Sequence, residues 1–178
     1  MKKFLWLFVI FLFIGCTDLS NTPYKKVEDF FKKYQSLDKA VITDLNNVVN
    51  EKTELTDSQK EVYKDIMKKH YQNLSYDIKD ETINGNDAVV TVEIEVTDFK
   101  KVIDEAQNYL SNNVQKFYNG SNVYDINLYN DYLLSKMKEA KDTVKYTLYI
   151  SLTKKDEKWE LNTISDSIYE KINGIYNY

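Results

Sequence analysis

Two hydrophobic periods alternate along this chain. Tyr24, Val27, Phe30, Phe31 and Tyr34 recur at helical spacing, behind Thr22-Pro23, an N-cap followed by a first-turn proline. A second helix is predicted after Asp38, with Val41, Leu45 and Val48 inward, and the polar stretch Asn50 to Thr56 reads as a loop. Ser58 and Glu61 stand at capping-box spacing ahead of a third helix, whose Tyr63, Met67, His70 and Leu74 share a face.

The period then drops to two. Tyr76 and Ile78 face one way, and Asn84-Gly85 marks a turn. Ala88, Val90, Val92, Ile94 and Val96 occupy one strand face, while Thr91, Glu93, Glu95 and Thr97 occupy the other. That is a hairpin with one buried and one wet face. Asp98 caps a long helix carrying Phe99, Val102, Ile103, Ala106, Leu110 and Phe117 inward. The Asn-rich "YNGSNVYDIN" reads as a loop, and Tyr129, Leu133, Met137 and Ala140 mark a shorter helix. Alternation returns at Val144, Tyr146, Leu148, Ile150 and Leu152, "KKDEK" turns the chain, and Trp159 and Leu161 lie on a further strand. Ile168, Ile172, Ile175 and Tyr176 predict a C-terminal helix. Helices, hairpin, helices, hairpin, helix is an α+β order: an antiparallel sheet packed against helices.

Ahead of all this stands an apolar run, "FLWLFVIFLFIG", behind Lys2 and Lys3 and ending at Cys16. It has the charged start, short apolar middle and small-residue end of an export signal. About 12 residues fall short of the roughly 20 needed to span a bilayer. Phe13-Ile14-Gly15-Cys16 resembles the lipobox of bacterial lipoproteins, with phenylalanine where leucine is usual. The resemblance implies that residues 1–15 are removed and that Cys16 is acylated and becomes the N-terminus. The competing reading, a secretory leader that happens to contain a cysteine, leaves an unpaired thiol in an oxidising compartment. Two acyl chains hold a protein stably on a membrane where one does not. Residues 16–22 would then be the lipidated cysteine and a tether reaching about 20 Å at full extension, and residues 23–178 one domain at the extracytoplasmic face of the cell membrane.

Composition narrows the function classes. Losing Lys2 and Lys3 with the leader takes the formal charge from −4 to −6. All basic residues are lysine, and without arginine's planar fork bidentate capture of phosphate or guanine is unavailable; nucleic acid is not an expected partner. Lysines 25 and 32, and 26 and 33, share faces of the first helix, but Glu28 and Asp29 interleave at pairing distance. The expectation is an ion-paired, solvated face rather than a lipid-binding one.

A second resemblance rests on "PYKKVEDFFKKYQSLD", "YDIKDETINGNDAVVTVEIEVTD" and "YTLYISLTKKDEKWEL". These segments look like exported lipoproteins of unknown function with a nuclear transport factor 2-like, or cystatin-like, fold. That likeness implies a curved sheet wrapped around helices as a cone; the extra helix beyond Ser165 departs from the minimal pattern and is a candidate cover for the cone's mouth.

Chemistry-bearing residues are sparse. His70 is the sole histidine; a general base would need a partner that no second histidine or remaining cysteine supplies, so a packed core residue is expected. Asn119, Asn122, Asp125, Asn127 and Asp131 carry oxygens but miss the calcium-loop spacing and read as turn formers. No metal or cofactor is expected. The fifteen tyrosines stand out; Tyr34, Tyr76 and Tyr146 are the candidate lining of a pocket for a small apolar ligand, against the plainer reading of core rings with hydroxyls at the rim. Related cone folds include isomerases and dehydratases that use a tyrosine with an acid, but no position here matches their motifs. The sequence therefore points to a membrane-anchored, non-catalytic module that binds a small ligand or a membrane or surface protein, with a small-molecule enzyme of the same fold as the alternative.

Overall fold

The computed structural model describes residues 21–177; the leader and Cys16 lie outside them. Each helix begins where a polar side chain can satisfy its open N–H groups. Thr22 Oγ1 accepts from Lys25 N at 3.1 Å to start α1 (Pro23–Gln35). Asp38 starts α2 (Lys39–Glu51) by accepting from Ala40 N. Thr56 opens α3 (Asp57–Asn73). Asp98, Asp125 and Ser165 cap α4 (Phe99–Asn112), α5 (Ile126–Glu139) and α6 (Asp166–Ile172). A 3₁₀ turn, Val114–Phe117, separates α4 from α5.

Four antiparallel strands pair in the order β1 (Ser75–Asn84), β2 (Asp87–Thr97), β3 (Thr143–Lys155), β4 (Lys158–Leu161). Val90, Val92, Ile94, Ile150 and Leu152 of the two central strands have no exposed surface. Burial of such side chains contributes about 1.5–3 kcal/mol each. On the other face Glu93 lies between Lys79 and Lys145, at 3.7 and 3.6 Å. The register of β1 slips between Ile78 and Asp80; a bulge of this kind bends the strand and blunts a sheet edge.

Helices cover the apolar face only. α1 touches β1, β2 and β4, α3 touches β2, and α2 and α5 lie against α3. One hydrophobic cluster joins Val27 and Phe31 of α1, Met67 of α3 and Leu74 just after it, the inward strand residues, Phe99, Leu134 and Ile172. The architecture is the α+β arrangement expected, with its one-sided sheet.

Several local expectations shift. The capping box is Thr56 with Gln59, not Ser58 with Glu61: Gln59 N donates to Thr56 Oγ1 and Thr56 N to Gln59 Oε1, at 3.3 and 3.1 Å. Gln59 is held there because its amide also reaches Asn127 O and Asp131 Oδ1 of α5, at 3.0 and 2.8 Å. The hairpin turn is Gly85-Asn86, one residue later than expected, since Asn84 pairs with Asp87. Val48 is exposed, and Val49 continues the Val41–Leu45 stripe inward. Phe117 is buried from the 3₁₀ turn rather than from α4, and α5 is as long as α4, at 14 residues each. Helix α6 stops at Ile172, so Ile175 and Tyr176 lie beyond it. The stop is a glycine cap: Gly174 takes φ +68°, and its N–H and that of Ile175 return to Lys171 O and Glu170 O.

Candidate functional site

The concave side of the sheet is occupied by the protein itself. Tyr76 and Tyr146 flank Ile94 in register across three strands. The Tyr76 ring stacks on Phe31 of α1, with centroids 5.1 Å apart, and Tyr146 meets the edge of Tyr176 at 5.9 Å. The chain end after α6 therefore packs where a ligand would meet Tyr146. The expected common lining of Tyr34, Tyr76 and Tyr146 is not assembled as one groove: Tyr34 borders an open groove, whereas the other two are ring contacts of α1 and of the chain end.

His70 holds the C-terminal segment in place. Its Nε2 lies 2.7 Å from Ile172 O; a carbonyl only accepts, so this nitrogen carries the proton. Next to it Tyr71 donates to Asn173 Oδ1 at 2.9 Å, and Lys100 N donates to Gly174 O at 2.8 Å. The His70 ring is 3% exposed and 4.9 Å from Phe99. Burial pushes the imidazole down from 6.5 to about 4, and the bond to Ile172 opposes that shift only in part. Nδ1 has no hydrogen-bond partner. This is the packed core histidine expected from the sequence, with a structural duty added.

The Asn-rich loop also keeps its oxygens for the backbone. Asn119 Oδ1 accepts from Ser121 N and Val123 N, and Asp125 Oδ1 from Asn127 N. Among the described residues no three His, Cys, Asp or Glu side chains are placed to hold a metal ion. Of the two lysine pairs on α1, that of Lys25 and Lys32 is ion-paired: Lys25 contacts Glu28 and Asp29 at 2.6 and 3.0 Å, and Lys32 contacts Glu28 at 2.8 Å.

Two features escaped the sequence reading. At the start of the domain, Asn21 forms a two-point latch: Nδ2 donates to Glu157 O at 2.7 Å, and Oδ1 accepts from Trp159 N at 3.0 Å. It fixes the entering chain to the β3–β4 turn, where Asp156 and Glu157 take φ +47° and +62°. Only four residues separate Asn21 from Cys16. The second is the groove of about 410 Å³ bordered by Tyr34, Tyr63 and Tyr71, with Tyr169 of α6, Asp44 and the exposed Val48 at its sides. Tyr34 and Tyr71 meet edge to face at 5.1 Å. The four rings lie on three helices, α1, α3 and α6, so their convergence is tertiary and leaves no spacing signal in the chain.

No helix among the described residues is long and apolar enough to cross a membrane. No protein-family model matches the chain, and no curated protein matches it. Among solved structures, the crystal structure of a candidate lipoprotein (ycdA) from Bacillus subtilis is similar at 14% identity and a TM-score of 0.45. The match covers 85% of this chain and 46% of that one, so this chain spans about half that protein's length.

Proposed function

We propose that this chain is an extracytoplasmic lipoprotein, anchored through acylated Cys16, whose nuclear transport factor 2-like domain binds rather than catalyses. The observation that carries the anchor is Gly15-Cys16 at the end of an apolar run too short to span a bilayer. The latch at Asn21 supports it. Five steps of chain from Cys16 reach about 18 Å at most, so the β3–β4 turn is the end of the domain held beside the membrane. The bulged antiparallel sheet with helices on its inner face, and the chain end packed against that face, support the cone fold.

The non-catalytic reading is supported by the duty of His70. A general base must reach a substrate proton, and this imidazole is buried with its protonated nitrogen committed to Ile172 O. Glu28 of α1 and Glu93 of β2 are ion-paired to lysines at the surface. What the fold offers instead is an open, tyrosine-lined groove.

Fractionation tests the anchor. Wild-type protein is expected in the membrane pellet, and Cys16→Ser is expected either in the soluble fraction or as uncleaved precursor. A Cys16→Ser protein that is fully processed and still membrane-bound contradicts the proposal.

A further inference from the structure

Three surface grooves differ in charge. The groove beside His70, between α3 and α5, is bordered by Lys68, Lys69 and Lys138 with one acid, Asp65. The groove between α4 and α5 is bordered by Lys101, Lys136 and Lys141 together with Glu105, Glu139 and Asp142, a mixed and balanced set. The tyrosine groove has no lysine on its border although the chain contains 24. Its one ionisable border group other than phenols is the Asp44 carboxylate. Four phenol rings, a methionine floor at Met67 and a single negative charge form a border that suits an organic cation.

We infer that this groove binds a small, soluble organic cation of the quaternary-ammonium type. Ring faces attract a cation through their quadrupole, and the attraction grows when methyl groups rather than water surround the charge. An anion would meet Asp44, and the Lys52 ammonium at the margin is already over the Tyr63 ring. A neutral apolar molecule would gain nothing from Asp44. The protein already shows the attraction at the groove's margin, where Lys52 Nζ sits 5.1 Å from the centroid of Tyr63. Burial raises the Tyr34 and Tyr71 phenols, and Asp44 adds to the shift in both, so these rings stay neutral at physiological pH and feel that carboxylate. The volume of about 410 Å³ lies within the ordinary range for small-ligand sites.

The choice of a soluble cation over a choline headgroup follows from position. Tyr34 is thirteen residues along the chain from the Asn21 latch, most of them helical, which places it about 18 Å along α1 from the anchored end. This inference rests on the reading of the domain as a binding module, and it names the ligand class.

The test uses the full chain in maltoside micelles, titrated with choline and with its uncharged carbon isostere, dimethylbutanol. Saturable binding of choline, about tenfold or more tighter than the isostere, is expected. Asp44→Asn, an exposed position on α2, should weaken choline about threefold, and Lys52→Gln, which removes a competing ammonium, should tighten it. Tyr169→Leu should weaken it with the thermal midpoint unchanged. Equal affinity for the two compounds, or no saturation by either, overturns the inference. So does binding of Cys16→Ser protein to phosphatidylcholine vesicles without binding of free choline, since the ligand would then be a headgroup. None of these results alters the acylation state of Cys16, so failure here is distinguishable from failure of the anchor.

Discussion

His70 and Ile172 are joined across 102 positions of sequence by one hydrogen bond, Nε2 to carbonyl oxygen at 2.7 Å. Ile172 has no exposed surface. The bond therefore closes the last turn of α6 onto α3.

This relationship has a pH signature. The folded imidazole titrates at about 4, below its unfolded value of 6.5. Between those values the unfolded chain binds the extra proton, so stability rises with pH there. The stabilisation is fully present above about 6.5 and is lost progressively as pH falls toward about 4, a swing of about 3 kcal/mol. Urea unfolding at steps between those pH values should show that slope, and His70→Gln should flatten it. A wild-type profile as flat as the variant's contradicts the buried-histidine account. With one histidine in the chain, the difference between wild type and His70→Gln separates this slope from that of the carboxylates, which titrate at the low end of the same window.

Gly174→Ala should be among the most damaging single substitutions. A Cβ there would stand 2.0 Å from the Thr97 carbonyl oxygen, on a backbone at φ +68°. The neighbour is main chain and cannot rotate aside. A loss of about 2 kcal/mol or more is expected, with faster proteolysis at the C-terminus than in the wild type. Unchanged stability would mean that the α6 cap is looser than described.

Val92→Asp tests the sheet. Val92 has no exposed surface and lies between Ile78 and Leu148. A carboxylate there is buried without a partner and should cost several kcal/mol. A folded variant within about 1 kcal/mol of wild type would place this strand face in solvent and contradict the architecture.

Asn21→Ala removes two hydrogen bonds to the β3–β4 turn. Each contributes about 1 kcal/mol, and the non-glycine turn at Asp156-Glu157 loses its brace. The expected outcome is a modest fall in thermal midpoint with a larger rise in amide exchange at Glu157 to Trp159. Exchange rates unchanged there would show that the latch does not hold the turn.

Periodicity made much of this fold legible. The inward sets on β2 and β3 are the ones their alternation announces, because a sheet covered on one face admits no other reading of Ala88 to Val96. The caps at Thr22, Asp38 and Asp98 were equally visible, since each depends on one local side chain. What escaped depends on distant partners. Gln59 outcompeted Glu61 for the capping role because α5 holds its amide, and Val48 could be told from Val49 only once α3 lay beside α2. For the candidate site, the sequence singled out Tyr34 but grouped it with Tyr76 and Tyr146, whose rings are taken up by Phe31 and Tyr176. Tyr63 and Tyr71 join Tyr34 only through helix packing, and the His70–Ile172 bond has no local trace at all.

The anchor is the central claim, and intact-mass analysis of the membrane-bound protein tests it most directly. The account expects a chain that begins at Cys16, heavier than residues 16–178 by a diacylglyceryl group, with or without a further acyl chain on the new amino terminus. A membrane-bound chain that retains residues 1–15, or one that carries Cys16 as a free thiol, would contradict it.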